Sequence, residues 1–249
     1  MGLLVAIVGY RTYPDGNVEQ QVEDLRNASI ALALSNELQN CFKDKRDHND
    51  SNCWLGNFLM GHSSGAHIAL LFLLSKLHGE MSPEKAKAVD QGLEFDSYIG
   101  LSGVYSIHHH FQYESWRGVE EISPMKPACD FTLDAFQRHS PIMYLFQSLY
   151  RWSDDEIPHL LATLPPILFV HGSDDSTVPF TSSADAAYML RSIGIQTCTE
   201  YYIAGAEHQD TIMDLLFGGE TRDVCLRFIT SRAKDVPGLK DNYRFKSKL

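Results

Sequence analysis

The stretch Gly61-His62-Ser63-Ser64-Gly65 decides how the rest of the chain is read. Before it, Leu55 to Met60 is an apolar run of strand length. After it, "GAHIALLFLLSKLH" (65–78) is apolar almost all round, the pattern of a helix buried at the centre of a fold. A G-x-S-x-G match alone is weak, because common residues produce it by chance in roughly one chain in ten. Set between a strand and a helix, it reads as a sharp turn that holds its middle serine, Ser63, in strained backbone angles. The glycines at 61 and 65 are expected to leave room for strand and helix to pack closely. In this register Ser63 is the candidate nucleophile, and Ser64 offers its backbone N–H to a developing oxyanion.

A serine hydroxyl is a poor nucleophile near neutral pH, so it needs a base, and the base needs a carboxylate to orient it. Two later strands supply both. "PPILFVHG" (165–172) runs into "SDDSTVPF", which carries Asp174 and Asp175. Asp175 is the better choice, because Val178-Pro179 then starts the next helix, read at 180–193. "TCTEYYI" (197–203) runs into "AGAEHQD", which presents His208 after a turn containing glycine. Three residues in the order Ser, acid, His each fall just past the end of a strand. With 11 histidines in the chain, that coincidence carries the reading, not any one residue. His62 and His67 flank the turn and read as packing or hydrogen-bonded histidines. The run His108-His109-His110 reads as surface loop, since consecutive side chains do not converge on one ion. No metal and no cofactor are expected.

Apolar strand-length runs alternate with helical patterns along the chain, the rhythm of a parallel sheet wrapped by helices. Val5 to Val8 reads as the first strand and "SYIGLSG" (97–103) as another. Residues 18–39 read as a helix, with Val22, Leu25, Ala28, Ile30, Leu32 and Leu38 on its apolar face, and 209–232 as mostly helix. Residues 43–52 read as a solvated loop. The expected organisation is one α/β domain over 1–232, with a long, irregular cap insertion at about 104–162 and a C-terminal tail at 233–249. Residues 105–152 hold ten of the 27 aromatic side chains, including Phe111, Tyr113, Trp116, Phe136 and Trp152. They read equally as an apolar acyl or prenyl pocket or as the insertion's own core.

The net charge of −11 repels phosphate backbones and anionic headgroups, so no nucleic-acid partner is expected. Five cysteines with no CxxC spacing argue against a disulfide framework or a zinc ribbon, and for a reducing compartment. The first residues lack the basic region and cleavage site of a signal peptide. No segment approaches the roughly 20 apolar residues of a spanning helix. The chain closes on Ser247-Lys248-Leu249, the S-K-L tripeptide read by a peroxisomal import receptor. Peroxisomal location is therefore expected, with cytoplasm or an endomembrane surface as the alternative.

These motifs resemble the α/β-hydrolase superfamily, and within it the esterases that include prenylcysteine methylesterases and kynurenine formamidase-like enzymes. The similarity looks closest to isoprenylcysteine methylesterase-like proteins. It runs through "VAIVGYRTYPDG", "LMGHSSGAHIAL", "YIGLSGVYSIHHHFQYESWRG", "RHSPI", "LPPILFVHGSDDSTVP" and "GAEHQD", to around residue 218. The resemblance implies an α/β-hydrolase fold with a cap insertion, a triad of Ser63, Asp175 and His208, and the Ser64 N–H as an oxyanion donor. It implies a serine hydrolase that cleaves a small-molecule or lipidated-peptide carboxylic ester through an acyl-enzyme. The alternatives are a related amidase or acyl-thioester hydrolase, or a catalytically impaired binding protein; a secreted feruloyl-type esterase is disfavoured by the absent signal peptide. Such enzymes carry an HGG-type oxyanion loop before the strand that ends in "YR", whereas nine residues precede Tyr10 here. The expectation is an N-terminally truncated fold. It lacks the strand that lies between the "VAIVGY" strand and the elbow strand, so that either a gap opens or those two strands meet.

Overall fold

In the computed structural model, residues 4–35, 56–75, 92–150, 153, 155, 157–195 and 197–232 are described. The loop at 43–52, the ends of the helices read at 18–39 and 65–78, Cys41, Cys53, Trp152 and the tail from 233 to Leu249 lie outside the described residues. Among the described residues four strands pair in chain order, all parallel: β1 (Phe58–His62), β2 (Ser97–Leu101), β3 (Ile167–Gly172) and β4 (Cys198–Ile203). β2 and β3 are buried along their whole length. Strands buried on both faces are the mark of a parallel sheet between two helical layers.

Side-chain alternation assigns the faces. Tyr98, Ile167 and Phe169 join one core with Leu25 of helix α1 (Val18–Ala33), the buried face of α2 (Ser64–Ser75), and Ala187 and Leu190, which come from a helix after β3. Ile99, Leu101, Leu168 and Val170 point the other way, against Val224, Cys225, Phe228 and Ile229 of a C-terminal helix. α1 begins where it does because Asn17 and Gln20 form a capping box. The Gln20 N–H donates to Asn17 Oδ1 at 3.0 Å, and the Asn17 N–H donates to Gln20 Oε1 at 3.0 Å. Its buried stripe is Val18, Gln21, Leu25, Arg26 and Ser29, more polar than the sequence pattern had indicated.

The insertion is helical, where an irregular stretch was expected. It contains α3 (Ile107–Trp116), α4 (Met125–Ala128), α5 (Leu133–Arg138), α6 (Pro141–Leu149) and α7 (Ile157–Ala162). The histidine run accordingly lies in the first turn of α3 and not in a loop. His108 and His109 are exposed, while His110 turns inward to within 3.3 Å of Glu114. A third core cluster of Val18, Leu71, Val104, Ile107, Phe136 and Val178 joins the insertion to the main fold. After β3 and β4 come α8 (Thr181–Ser192), α9 (Asp210–Phe217) and α10 (Glu220–Arg232). The last two are separate helices because Gly218 takes φ 100°, a left-handed value that ends α9. Cys129, Cys198 and Cys225 are free and buried, and burial pushes each thiol up to about 12.

The expected first strand is not formed. Residues 4–10 belong to no helix or ladder, and Val5 and Ile7 are 73% and 94% exposed. A strand exists only through its partner's hydrogen bonds, and the described ladder pairs β1 on one side only, with β2. Of the two outcomes anticipated for this place, a direct meeting of the two strands is not seen among the described residues. The end of the segment is nonetheless anchored. The Tyr10 hydroxyl lies 2.9 Å from Ser64 Oγ, and the Arg11 guanidinium donates to Asp24 of α1 at 2.6 Å.

The two elbow glycines differ in what they do. A Cβ at Gly61 would stand 2.4 Å from the Gly65 backbone, whereas one at Gly65 would meet only the Tyr10 hydroxyl, at 3.9 Å. The strand therefore requires glycine at 61 and the helix does not require it at 65. Gly61→Ala is expected to destabilise the fold by about 1–3 kcal/mol and Gly65→Ala to be near neutral, read as urea unfolding midpoints. Equal losses at both positions would contradict this packing.

His67, on α2, is buried and its Nε2–H donates to the His139 carbonyl at 2.6 Å. Burial lowers its pKa from 6.5 to about 4, with the hydrogen bond to His139 opposing. The sign follows from linkage: a depressed folded-state value gives stability that is complete above about 6.5 and is lost as pH falls through about 4. Roughly 3 kcal/mol is at stake. The unfolding midpoint is expected to drop between pH 6.5 and 4, and His67→Gln, which keeps a donor and removes the titration, to shrink that drop. A slope unchanged by the substitution would assign it to other groups.

Candidate active site

Every candidate residue lies at the C-terminal edge of the sheet, where parallel α/β sheets place their ligand sites. Ser63 follows β1 directly and opens α2. Its φ is +54°, in the left-handed region that costs a side-chain-bearing residue about 1 kcal/mol or more. The turn is held from both sides. The Ser63 N–H donates to Leu101 O at 2.9 Å, extending the ladder to β2, and its carbonyl accepts from Ala66 and His67 in the first turn of α2. Tyr98 of β2 pins that turn by donating its hydroxyl to Ala66 O at 2.7 Å. Ser63 is half-buried, and Ser64, exposed, occupies the first position of α2. Backbone N–H groups there have no partner within the helix and carry the positive end of its dipole.

Asp175 sits in the loop after β3 with its side chain wholly buried, while neighbouring Asp174 is exposed and accepts from Ser173 Oγ. Each oxygen of Asp175 is occupied. Oδ1 accepts the N–H groups of Thr177 at 2.9 Å and Val178 at 2.8 Å. Oδ2 lies 2.7 Å from His208 Nδ1 and 3.2 Å from His171 Nε2. Burial alone would raise this carboxyl's pKa, but hydrogen bonds from His171, His208 and the Val178 N–H outweigh it and hold the group well below the usual carboxylate range. A permanent anion against Nδ1 fixes the His208 tautomer with the proton on Nδ1 and leaves Nε2 as the basic nitrogen.

His208 is buried, in the loop after β4. The two loops approach so closely that a Cβ at Gly172 would stand 2.1 Å from Ala206 O. The structure thus joins Asp175 and His208 directly and places Ser63 on the same edge. Among the described residues, neither Ser63 Oγ nor His208 Nε2 makes a hydrogen bond; such contacts often tighten only with substrate bound.

Sequence reasoning missed three groups. His171, fully buried, bonds Val178 O at 2.9 Å and Ser183 Oγ at 2.7 Å, and so braces Asp175 from behind. Its i, i+4 spacing to Asp175 was the available signal. Tyr10 reaches the elbow from 54 residues away, which no local pattern reveals. Thr211 donates to His208 O at 3.2 Å. His62 donates Nε2–H to the same carbonyl at 2.9 Å, its ring 4.7 Å from that of His208, and burial lowers its pKa. Among the described residues, no group of three or more His, Cys, Asp or Glu side chains is set to hold a metal ion, and no helix is long and apolar enough to cross a membrane.

No protein-family model matches the chain. Among curated proteins, it is 29% identical over 228 residues to a probable isoprenylcysteine alpha-carbonyl methylesterase of Oryza sativa subsp. japonica, covering 89% of this chain and 48% of that protein. It is 28% identical over 222 residues to the isoprenylcysteine alpha-carbonyl methylesterase of Arabidopsis thaliana, covering 88% and 46%. The chain spans about half the length of these relatives. Among solved structures, an acetyl ester-xyloside bifunctional hydrolase of Caldicellulosiruptor lactoaceticus superposes with a TM-score of 0.55 at 18% identity, over 90% of this chain and 69% of that one. A thermophilic esterase of Thermogutta terrifontis, bound to propionate, gives 0.54 at 18%, over 90% and 70%. The chain has the α/β-hydrolase fold, and in sequence it is similar to isoprenylcysteine methylesterases.

Proposed function

We propose that the protein is a serine hydrolase that cleaves carboxylic esters through an acyl-enzyme, with a prenylcysteine methyl ester as the substrate class. The observation that carries the reading is the buried Asp175–His208 pair, 2.7 Å apart, at the sheet edge where Ser63 sits in a strained turn. A buried imidazole with one nitrogen fixed by a carboxylate and the other unpaired is what a serine needs for activation. The names of the methylesterase relatives support the substrate class.

In this mechanism His208 Nε2 removes the Ser63 hydroxyl proton as Oγ attacks the ester carbonyl. The tetrahedral oxyanion develops beside the N–H of Ser64, at the positive end of α2. Asp175 stays ionised throughout and stabilises the imidazolium without taking its proton. His208 then protonates the departing alcohol, methanol for a methyl ester. Water, deprotonated by the same imidazole, releases the acid and restores Ser63.

The test is fluorophosphonate labelling of the folded chain read by intact mass, beside hydrolysis of a prenylcysteine methyl ester, a short-chain ester, a thioester and an amide. One adduct is expected, lost in Ser63→Ala and His208→Ala, with ester turnover reduced roughly 10⁴-fold or more in each. An adduct that survives Ser63→Ala would remove the assigned nucleophile. Faster turnover of the thioester or amide would keep the mechanism and replace the substrate.

A further inference from the structure

The loops that carry Asp175 and His208 are stapled into one unit. Gly205 N–H donates to Ser173 Oγ at 2.8 Å, Asp174 N–H to Ala206 O at 3.1 Å, and Ser173 N–H to Ile203 O at 2.9 Å. Ser176 donates through both N–H and Oγ to Glu207, at 3.1 and 3.0 Å. None of these bonds reaches the turn that holds Ser63, which belongs to β1, separated from β3 by β2. Relative to the base, the nucleophile is therefore placed by whatever joins β1 to the loop after β4. Among the described residues, the one hydrogen bond that does so runs from His62 Nε2–H to the His208 carbonyl, at 2.9 Å.

That carbonyl has a second donor. Thr211 Oγ1–H reaches it at 3.2 Å, so the Ser102 hydroxyl, 3.1 Å from Thr211 Oγ1, donates to Thr211 in turn. Ser102 follows β2, is wholly buried, and takes φ +46°. The backbone of the base is thus gripped from the ends of β1 and β2 at once, by side chains that need not touch a substrate.

We propose that His62 is a positioning residue, which with Thr211 and Ser102 sets the His208 imidazole in register with Ser63 by clamping the His208 backbone carbonyl. The proposal rests on the serine-hydrolase reading for its catalytic consequence. The geometry of the bridge stands apart from it. Because His62 immediately precedes the nucleophile, a shift of the turn is passed to the base most directly through its side chain, in a single hydrogen bond. A misplacement of about 1 Å costs on the order of 100-fold in rate.

The experiment compares His62→Phe, which keeps a ring and loses the donor, with His62→Gln, whose amide places a donor where Nε2–H stood. His62→Phe is expected to lower kcat about 10- to 100-fold with KM nearly unchanged, and His62→Gln to recover most of it. Full activity in His62→Phe, or equal loss in both variants, would overturn the proposal. Amide hydrogen exchange over residues 204–211 is measured on the same proteins. It is expected to quicken roughly 5- to 10-fold in His62→Phe and to stay near wild type in His62→Gln. If the wild-type chain takes up no fluorophosphonate, the serine-hydrolase reading fails, and exchange alone decides the bridge: quickening supports it and no change overturns it.

Discussion

The site is organised by the need to satisfy one buried carboxylate. Asp175 has no exposed side-chain surface, and an unpaired charge there would cost several kcal/mol. Three hydrogen bonds meet it, from two backbone N–H groups of its own loop and from His208, and the His171 imidazole lies 3.2 Å away. Each group constrains a different piece of chain. The Thr177 and Val178 amides curl the loop towards α8, His171 ties it to the end of β3, and His208 draws in the loop after β4. Gly172 is the steric counterpart, because the Ala206 carbonyl occupies the place of its missing Cβ. Asp175 and His208 are consequently one structural unit.

Ser63 is held by a different device. Its positive φ is maintained by β1 on one side and by α2, buried almost throughout, on the other. Ser102 repeats the feature one strand over, again past a strand end and again with positive φ. In both cases the ladder carries on through the strained residue, with Ser63 N–H bonding Leu101 O and Ser102 N–H bonding Val170 O, each at 2.9 Å. The strain is thus spread over rigid neighbours, as a turn that must present a side chain at a fixed place requires.

What was legible in the sequence was local. β1, β2, β3 and β4 are apolar runs bounded by turn residues, and Ser63, Asp175 and His208 each lie within a few residues of a strand end, so a pattern of short range locates them. The segment Val5–Val8 is equally apolar and failed as a strand, because pairing depends on a partner that its own residues do not encode. The short helices of the insertion, four to ten residues long, carry too few turns for a periodic signal. Tyr10 reaches Ser64 from 54 residues away and Thr211 meets Ser102 across 109, spans that no window covers. The break between α9 and α10 was readable in Gly218-Gly219, a pair whose second member leaves no room for a Cβ beside the Asp214 carboxylate.

The insertion bears on the candidate site through its attachments. Tyr113 of α3 donates its hydroxyl to Ser176 O at 3.1 Å, and the Arg117 guanidinium reaches Thr177 O at 3.5 Å, so the end of α3 is tied to the loop that carries Asp175. Phe111 and Phe136 pack against each other, with ring centroids 5.8 Å apart, within the cluster shared with Val18, Leu71 and Val178. Phe136 is a core residue here, and Phe111 packs half-buried against the same cluster. Trp116, one residue before the tie at Arg117, is 92% exposed. An insertion whose core is continuous with the sheet, and whose α3 end is bonded to the acid loop, behaves as a fixed wall and not as a separately hinged lid. Changes within the shared cluster therefore reach the Asp175–His208 pair through α3 and the loop after β3.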